Sequence, residues 1–398
     1  MESSATSPPL VKVEGWGERS PLEIEGTLIP HPTPTRAKDH RAVHKYARTA
    51  VAVSAAATLT LLAGCSAGAP TEAAAESSEP LIVYTNSNAD GRAEWLTAQA
   101  AEAGFEIQIV GQGGGDTTEK LIAEAGNPVA DVVFGLNNMY FSQLIAADTI
   151  EPYTPSWSGE VDAALGDPSG EGYYWPLVQQ GIVLAYNTAA YPTPEDAPQD
   201  WTDLWTDPAF QGRYESVPDL GGATSQLVFA GILTRYLDES GDLGVSDEGW
   251  EQVAAYFEHG NPAVPDTDLY ARMAEGEVDM GQMWTSGLPS REEEYGIDSE
   301  VVRPEVGVPY AVEQVAIVKG TDQTEQAQEF IDWFGSAETQ AAWSAEFDSM
   351  PVNEGAIAEA DPEIVEFHEN LPRQEIDWDV VAENLPAWVE KIELEYIP

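Results

Sequence analysis

The chain has one cysteine in 398 residues, Cys65. That excludes a disulfide framework within the chain and any metal cage built on several thiolates. Histidine is almost as scarce: of five, only His259 and His368 lie beyond Cys65. Neither has a G-x-S-x-G elbow or an H-E-x-x-H pair nearby, which argues against a serine hydrolase or a zinc protease. Glycosidase chemistry on a carboxylate pair stays open, although no spacing selects a pair. Basic residues are also missing from the same region. Seven of the 17 Lys and Arg and six of the 69 Asp and Glu precede Cys65, leaving 10 basic and 63 acidic residues from there on. Such a surface repels nucleic acid and anionic lipid headgroups, so neither is expected as a partner. There is no internal repeat. The uncharged apolar run at residues 49–64 falls short of the roughly 20 residues that a membrane span wants.

The first 64 residues are organised around that run. "RAKDHRAVHKYAR" (36–48) is locally basic, "TAVAVSAAATLTLLAG" (49–64) is apolar, and small residues end it. This is the pattern of an export signal. "LAGC" at residues 62–65 resembles the bacterial lipobox, whose cysteine is lipidated and becomes the new N-terminus. Cys65 is therefore the expected lipidation site and membrane anchor. Residues 1–64 are read as a leader, with 36–64 as the lipoprotein signal. Residues 1–42 are Pro-rich and polar, unlike the front of a signal, and translation is expected to begin near Val43. A precursor whose N-terminal sequence starts at Met1 would contradict that. Residues 65–79, with "SAGAPTEAAAESSE" after the cysteine, read as a flexible tether reaching on the order of 20 Å.

From Leu81 the chain alternates strand and helix. "LIVYT" (81–85), "FEIQIV" (105–110) and "ADVVFG" (130–135) read as strands. Helices are expected at 89–104, with Trp95, Leu96, Ala100 and Ala103 on one side, at 111–125 after a glycine loop, and at 137–147. This order predicts an α/β fold with a mostly parallel sheet, whose ligands bind beyond the carboxyl ends of the strands. Further on come a long strand at 172–188 and a glycine-led helix within 200–237. A helix capped by Ser246 follows, then a helix and strand at 268–287 and two strands around Pro309–Ala311. Two helices at 324–347 and more helix beyond complete the pattern.

The order of "LIVYTNSN", "ADVVFG", "YYWPLVQQGIVLAYNT", "DWTDLW", "VPYAVEQVAIVKG", "AQEFIDWF" and "SMPVN" resembles the type II extracellular solute-binding proteins of bacterial ABC importers. The similar branch is the one for ferric iron, phosphonates and sugar phosphates. The resemblance covers nearly all of residues 80–398. It implies a two-lobed, periplasmic-binding-protein-like α/β fold of type II with two hinge crossovers. Lobe 1 would be 80–186 plus 311–398, and lobe 2 would be 187–310. It also implies a monomer, without cofactor or enzymatic activity, that hands a small molecule to permease subunits.

Four loops at strand ends carry small polar groups suited to the cleft: Asn86, Ser87 and Asn88; Gly114, Gly115, Asp116 and Thr117; Asn137 and Asn138; and Gly222, Thr224 and Ser225. The last opens a helix, whose first N–H groups and partial positive charge hold anions without Lys or Arg. The resemblance puts an anion there. A cap and turn without ligand is the alternative. Where ferric-binding relatives carry a tyrosine pair, this chain has Met283-Trp284 followed by Thr285 and Ser286. Indole does not ligate a hard ferric ion, so no metal ligands are assigned. Trp284 is expected either to stack on an organic ligand or to pack in the core. Tyr310 and Glu313 lie at the return crossover and face the cleft in this reading. Arg92 falls either near the first loop or on a solvated helix face. The favoured ligand is a small organic anion, a phosphonate or sugar phosphate. Ferric iron is the alternative, and a surface-anchored hydrolase the more distant one.

Overall fold

A computed structural model describes residues 79–398; Cys65 and the segments expected to be leader and tether before residue 79 lie outside the described residues. The chain opens with strand β1 (Leu81–Thr85), α1 (Arg92–Ala103), β2 (Ile107–Gly111), α2 (Gly114–Glu124), β3 (Val132–Phe134), α3 (Asn138–Ala146) and β4 (Ile150–Glu151). Then come the long β5 (Trp175–Asn187), α4 (Asp203–Thr206), β6 (Glu215–Ser216), α5 (Ala223–Leu233), β7 (Leu237–Asp242), α6 (Asp247–His259) and β8 (Asn261–Pro262). After α7 (Leu269–Glu275), β9 (Met280–Trp284), α8 (Leu288–Tyr295) and β10 (Ser299–Val301), the chain returns in β11 (Tyr310–Val318). It finishes with α9 (Thr324–Phe334), α10 (Ala337–Phe347), β12 (Met350–Pro351), α11 (Glu354–Glu359), α12 (Pro362–Asn370) and α13 (Trp378–Glu395).

The main sheet has two wings that share β5. Residues 175–181 of β5 pair with β11 and residues 178–179 with β12. From Ile182 onward the same strand pairs with β9 and then β10. The change of partner falls at Gly181–Ile182, several residues before the crossover expected at Tyr186-Asn187. The expected mostly parallel sheet also needs correction. β1 is parallel to β2 and β3, but β11 inserts antiparallel between β3 and β5, and β9 and β10 are antiparallel to β5. The reason is connectivity. β11 returns from the far wing and so runs against β3 instead of being delivered parallel by a βαβ crossover. The two strands expected around Pro309–Ala311 are one strand, β11. β7, α8 and β10 carry no pattern that the sequence reading detected.

Alternation along the strands places the core on both faces. Val315 and Ile317 of β11 face one cluster with Val132, Phe134, Phe330, Phe334 and Trp343. Ala316 and Val318 face another with Val133, Tyr140, Leu144 and Trp388. The first cluster holds buried aromatic rings among its aliphatic side chains, with Phe134 and Phe334 edge to face at 5.1 Å between ring centroids. Each such side chain contributes about 1.5–3 kcal/mol by burial. On α1, Ala103 is exposed, while Arg92 is buried with Leu96 and Ala100. Ser246 caps α6 as expected, its Oγ accepting from Gly249 N at 3.3 Å. In the far wing, Val183 and Ala185 of β5 pack with Leu269, Tyr270, Met273 and Leu288.

Candidate functional site

A cavity of about 210 Å³ lies where the two wings meet. The starts of several helices line it: Ala89 and Arg92 at α1, Gly113 and Gly114 at α2, Asn137 at α3, and Gly222, Ala223 and Thr224 at α5. None of these four helices is capped by a side chain. Ser246, Asp268, Ser336, Asn353, Asp361 and Asp377 do cap α6, α7, α10, α11, α12 and α13. The first-turn N–H groups of a helix need acceptors. Around the cavity no side chain supplies them, while six helices elsewhere are capped and α4, α8 and α9 are not.

Asn137 sharpens the point. It is 4% exposed and lines the cavity, yet its Oδ1 and Nδ2 have no hydrogen-bond partner among the described residues. Asn86 Oδ1 is in the same position. Leaving a buried polar atom unpaired costs about 1–3 kcal/mol, and atoms that line a cavity can be paired there by a bound molecule. Ile182, Leu227, Ala311 and Trp284 form the apolar wall.

The charged groups are Arg92 and Glu313. Arg92 is 4% exposed, so it does not lie on a solvated helix face. Its Nη1 donates to Asp90 Oδ2 at 3.0 Å and its Nη2 to Ser286 Oγ at 2.9 Å. Glu313 Oε1 accepts from Gln180 Nε2 at 3.3 Å. Desolvation pushes the Glu313 carboxyl above the usual carboxylate range, against the opposing pull of Arg92, Ser87 and Gln180.

Of the residues singled out from the sequence, Asn86, Ser87, Gly114, Asn137, Gly222, Thr224, Trp284 and Glu313 line this cavity. The others lie behind it or beside it. Ser286 Oγ also accepts from Gln180 Nε2 at 2.9 Å, and Thr285 Oγ1 accepts from Gly181 N at 3.1 Å. Both hold the wall in place from outside. Ser225 Oγ is engaged by Gln282 Nε2 at 2.8 Å and Asn138 Oδ1 by Gln314 Nε2 at 2.6 Å. Gly115 N donates to Gly221 O at 3.2 Å, and the Asp116 carboxylate lies beside Gly221. The Thr117 side chain is buried within the fold, and that of Asn88 lies against Gly111. Tyr310 is directed away from the cavity, its hydroxyl 2.5 Å from His368 Nδ1 and its ring 4.1 Å from the Arg373 guanidinium. Tyr174 packs against Phe141 in the core, the ring centroids 4.8 Å apart and the planes tilted by 31°.

Gly135, Gln180, Ile182, Leu227, Ala89 and Ala311 were not among the expected site residues, whereas Gly113 and Ala223 belong to glycine loops expected to face the cleft. Gln180 and Ile182 read as strand interior. Only the change of partner along β5 brings them to the cleft.

Two wings closing on a polar cavity at the strand ends define a two-lobed solute-binding protein. Residues 94–370 match the family model described as "Bacterial extracellular solute-binding protein", and the chain belongs to that family. A relative from Sinorhizobium fredii is 36% identical over 318 residues, covering 80% of this chain and 86% of its own length; its name is "Probable ABC transporter periplasmic-binding protein y4fP". A Salmonella typhi protein named as a candidate 2-aminoethylphosphonate-binding periplasmic protein is 25% identical, covering 76% of this chain and 88% of its own. The solved structure of the periplasmic binding protein P5PA superposes with a TM-score of 0.67 at 24% identity, over 80% of this chain and all of its own. Iron-bound HitA from Pseudomonas aeruginosa gives 0.67 at 21% identity, over 79% of this chain and 99% of its own. AfuA from Actinobacillus pleuropneumoniae with fructose-6-phosphate bound gives 0.61 at 20% identity over the same shares.

The chain is thus a periplasmic or extracellular solute-binding protein of an ABC importer, a class that binds small molecules and delivers them to permeases. Among the described residues, no helix is long and apolar enough to cross a membrane.

Proposed function

We propose that this protein captures a small organic anion, a phosphonate or a sugar phosphate, with the anionic group held at the uncapped starts of α2, α3 and α5. The observation that carries this reading is Asn137, buried against the cavity with both side-chain polar atoms unpaired amid those starts. Converging N–H groups and helix dipoles bind an anion without a free cation. Arg92 is already engaged by Asp90. At about 210 Å³ the cavity is below the ~300–1,000 Å³ of sites for drug-sized ligands, which favours a solute of few heavy atoms. Glu313 would receive an ammonium or a sugar hydroxyl at the other end. The name of the Salmonella typhi relative fits the first of these.

Thermal-shift measurements test it. A ligand at 100 times its Kd adds about 2.7 kcal/mol of stability. 2-Aminoethylphosphonate or a sugar phosphate should raise the melting temperature, and Asn137→Leu should abolish the rise. A rise with ferric citrate and none with phosphorylated compounds would assign the site to iron instead.

The lobe boundaries proposed are 80–181 plus 311–370 for lobe 1 and 182–310 for lobe 2, following the change of partner along β5. The C-terminal helix is set apart because it touches both sides. It packs on α3, while Trp388 Nε1 donates to Leu243 O at 3.0 Å. The protein acts as a monomeric receptor and not a catalyst. His368 is committed to Tyr310, and neither histidine beyond the leader lines the cavity. Lipid on Cys65 would hold it at the outer face of the cytoplasmic membrane, on the tether of residues 66–79.

A further inference from the structure

Asp90 lies in the loop between β1 and α1, between the cavity-lining Ala89 and Arg92, with a left-handed backbone (φ 57°). It is gripped from two sides. Arg92, from its own wing, donates through Nη1 to Oδ2 at 3.0 Å. Arg291, on α8 of the other wing, donates through Nη1 to Oδ2 at 3.0 Å and through Nη2 to Oδ1 at 3.1 Å. The second contact is a two-pronged guanidinium–carboxylate pair across the cleft, the geometry that sets arginine apart from lysine.

Both partners are held in place before they meet. Arg291 Nε donates to Asp268 Oδ2 at 3.0 Å within its own wing, and its guanidinium lies 4.6 Å from the Trp284 ring centroid. The remaining two nitrogens are left pointing as a fork at Asp90. Most surface ion pairs contribute little because two flexible chains must be ordered to form them. Here that ordering is already done, and the Arg291 and Asp90 side chains are only 11% and 23% exposed. The two arginines also differ in position. Arg92 lines the cavity, whereas Arg291 touches Trp284 from behind. Asp90 therefore ties a cavity arginine of one lobe to the support of a cavity tryptophan of the other.

We propose that the Asp90–Arg291 pair is a closure latch, and that Asp90 and Arg291 are positioning residues that hold the lobes shut without touching solute. The proposal rests on the lobe assignment above but not on the identity of the ligand.

Small-angle X-ray scattering of the purified protein, with no solute added, reads the open–closed ratio directly. Salt screens the pair and also the repulsion between two acidic lobes, and only the first belongs to the latch, so between 20 mM and 1 M salt the closed fraction of the wild type should fall relative to that of the charge-removing variants. Asp90→Asn and Arg291→Gln should each shift the ratio about tenfold toward open and keep only the response to the general repulsion. The double variant should open no further than either single one. Arg291→Lys keeps the charge and loses the fork, and should lie between. It also serves as the probe if a charge-removing variant fails to melt cooperatively. Scattering that is the same for wild type, Arg291→Lys and Arg291→Gln at both salts overturns the latch, as do single effects that simply add in the double variant. Because no solute enters the measurement, a wrong ligand assignment leaves this result untouched.

Discussion

The Tyr140 hydroxyl donates to Gln226 Oε1 at 2.7 Å, joining α3 of one lobe to α5 of the other through two buried side chains. Burial pushes the Tyr140 hydroxyl well above its ordinary pKa, so it stays a donor throughout the working pH range. Gln226 Nε2 is meanwhile fixed on Leu220 O at 2.6 Å.

Tyr140→Phe leaves Gln226 Oε1 buried without a donor. The cost is about 1–3 kcal/mol, and it falls on the closed arrangement, where the bond exists. Solute affinity should drop roughly tenfold or more while the melting temperature of the free protein changes little. Isothermal titration and differential scanning calorimetry on the same samples separate the two. An equal loss in both would mean that the bond stabilises the fold and not closure.

Gly113 should be intolerant of a side chain for closure alone. Its φ of −59° suits any residue, but a Cβ there would overlap the Gly221 carbonyl oxygen of the facing lobe. This is backbone against backbone, with no side chain free to turn aside. Overpacking of this kind costs about 1–3 kcal/mol. Gly113→Ala is therefore expected to weaken solute binding by about 10- to 100-fold and to leave the free protein's circular dichroism unchanged. Wild-type affinity in this variant would contradict the close approach of the two loops.

Thr224 and Ser225 are neighbours with different fates. Thr224 lines the cavity, whereas Ser225 Oγ is engaged by Gln282. Thr224→Ala should cost about tenfold in anion affinity and Ser225→Ala distinctly less. Competition assays with 2-aminoethylphosphonate and glucose-6-phosphate would check the order. A larger effect at Ser225 would relocate the anion.

His368 makes the fold acid-sensitive. It is 3% exposed, and desolvation, with Arg373 adding to it, depresses its pKa from 6.5 to about 4. Between those values the unfolded chain binds the proton and the folded chain does not. Stability is therefore fully present above about pH 6.5 and is lost as pH falls toward 4, by on the order of 3 kcal/mol. Glu313 works the other way, since its raised pKa favours the folded state as the pH falls. Urea midpoints at pH 7 and pH 5 should differ more for the wild type than for His368→Gln. An identical pH response in the two would remove the histidine as the cause.

Cys65→Ala should move the protein from the membrane fraction to the soluble fraction, with solute affinity unchanged. A single acyl chain binds membranes only marginally, so the proposed anchor would need several chains on Cys65. Fractionation and immunoblotting decide it; retention of the variant on membranes would show another attachment.

Much of the site was legible because it is built from local signals. Small polar residues at strand ends and glycines at helix starts mark loops expected to face a cleft, and Asn86, Asn137, Gly222 and Thr224, expected on that ground, line the cavity. Ser286, Thr285 and Tyr310 carry the same kind of signal but lie one layer out. Which face of a short turn looks inward depends on neighbours far along the chain. Gln180 and Ile182 gave no signal at all, since a buried strand and a cleft wall have the same composition.

The sequence by itself determined the α/β class, the acidic character of everything after Cys65 and the order of segments that matches the family. These follow from composition and short-range periodicity, which need no third dimension. Only the tertiary structure decided where β5 changes partners, that β11 returns antiparallel, and that Arg92, Asp90 and Arg291 meet across the cleft. Arg291 lies 201 positions from Asp90. No local pattern encodes such a meeting; it follows from β5 and β11 carrying the chain between the two wings of the sheet.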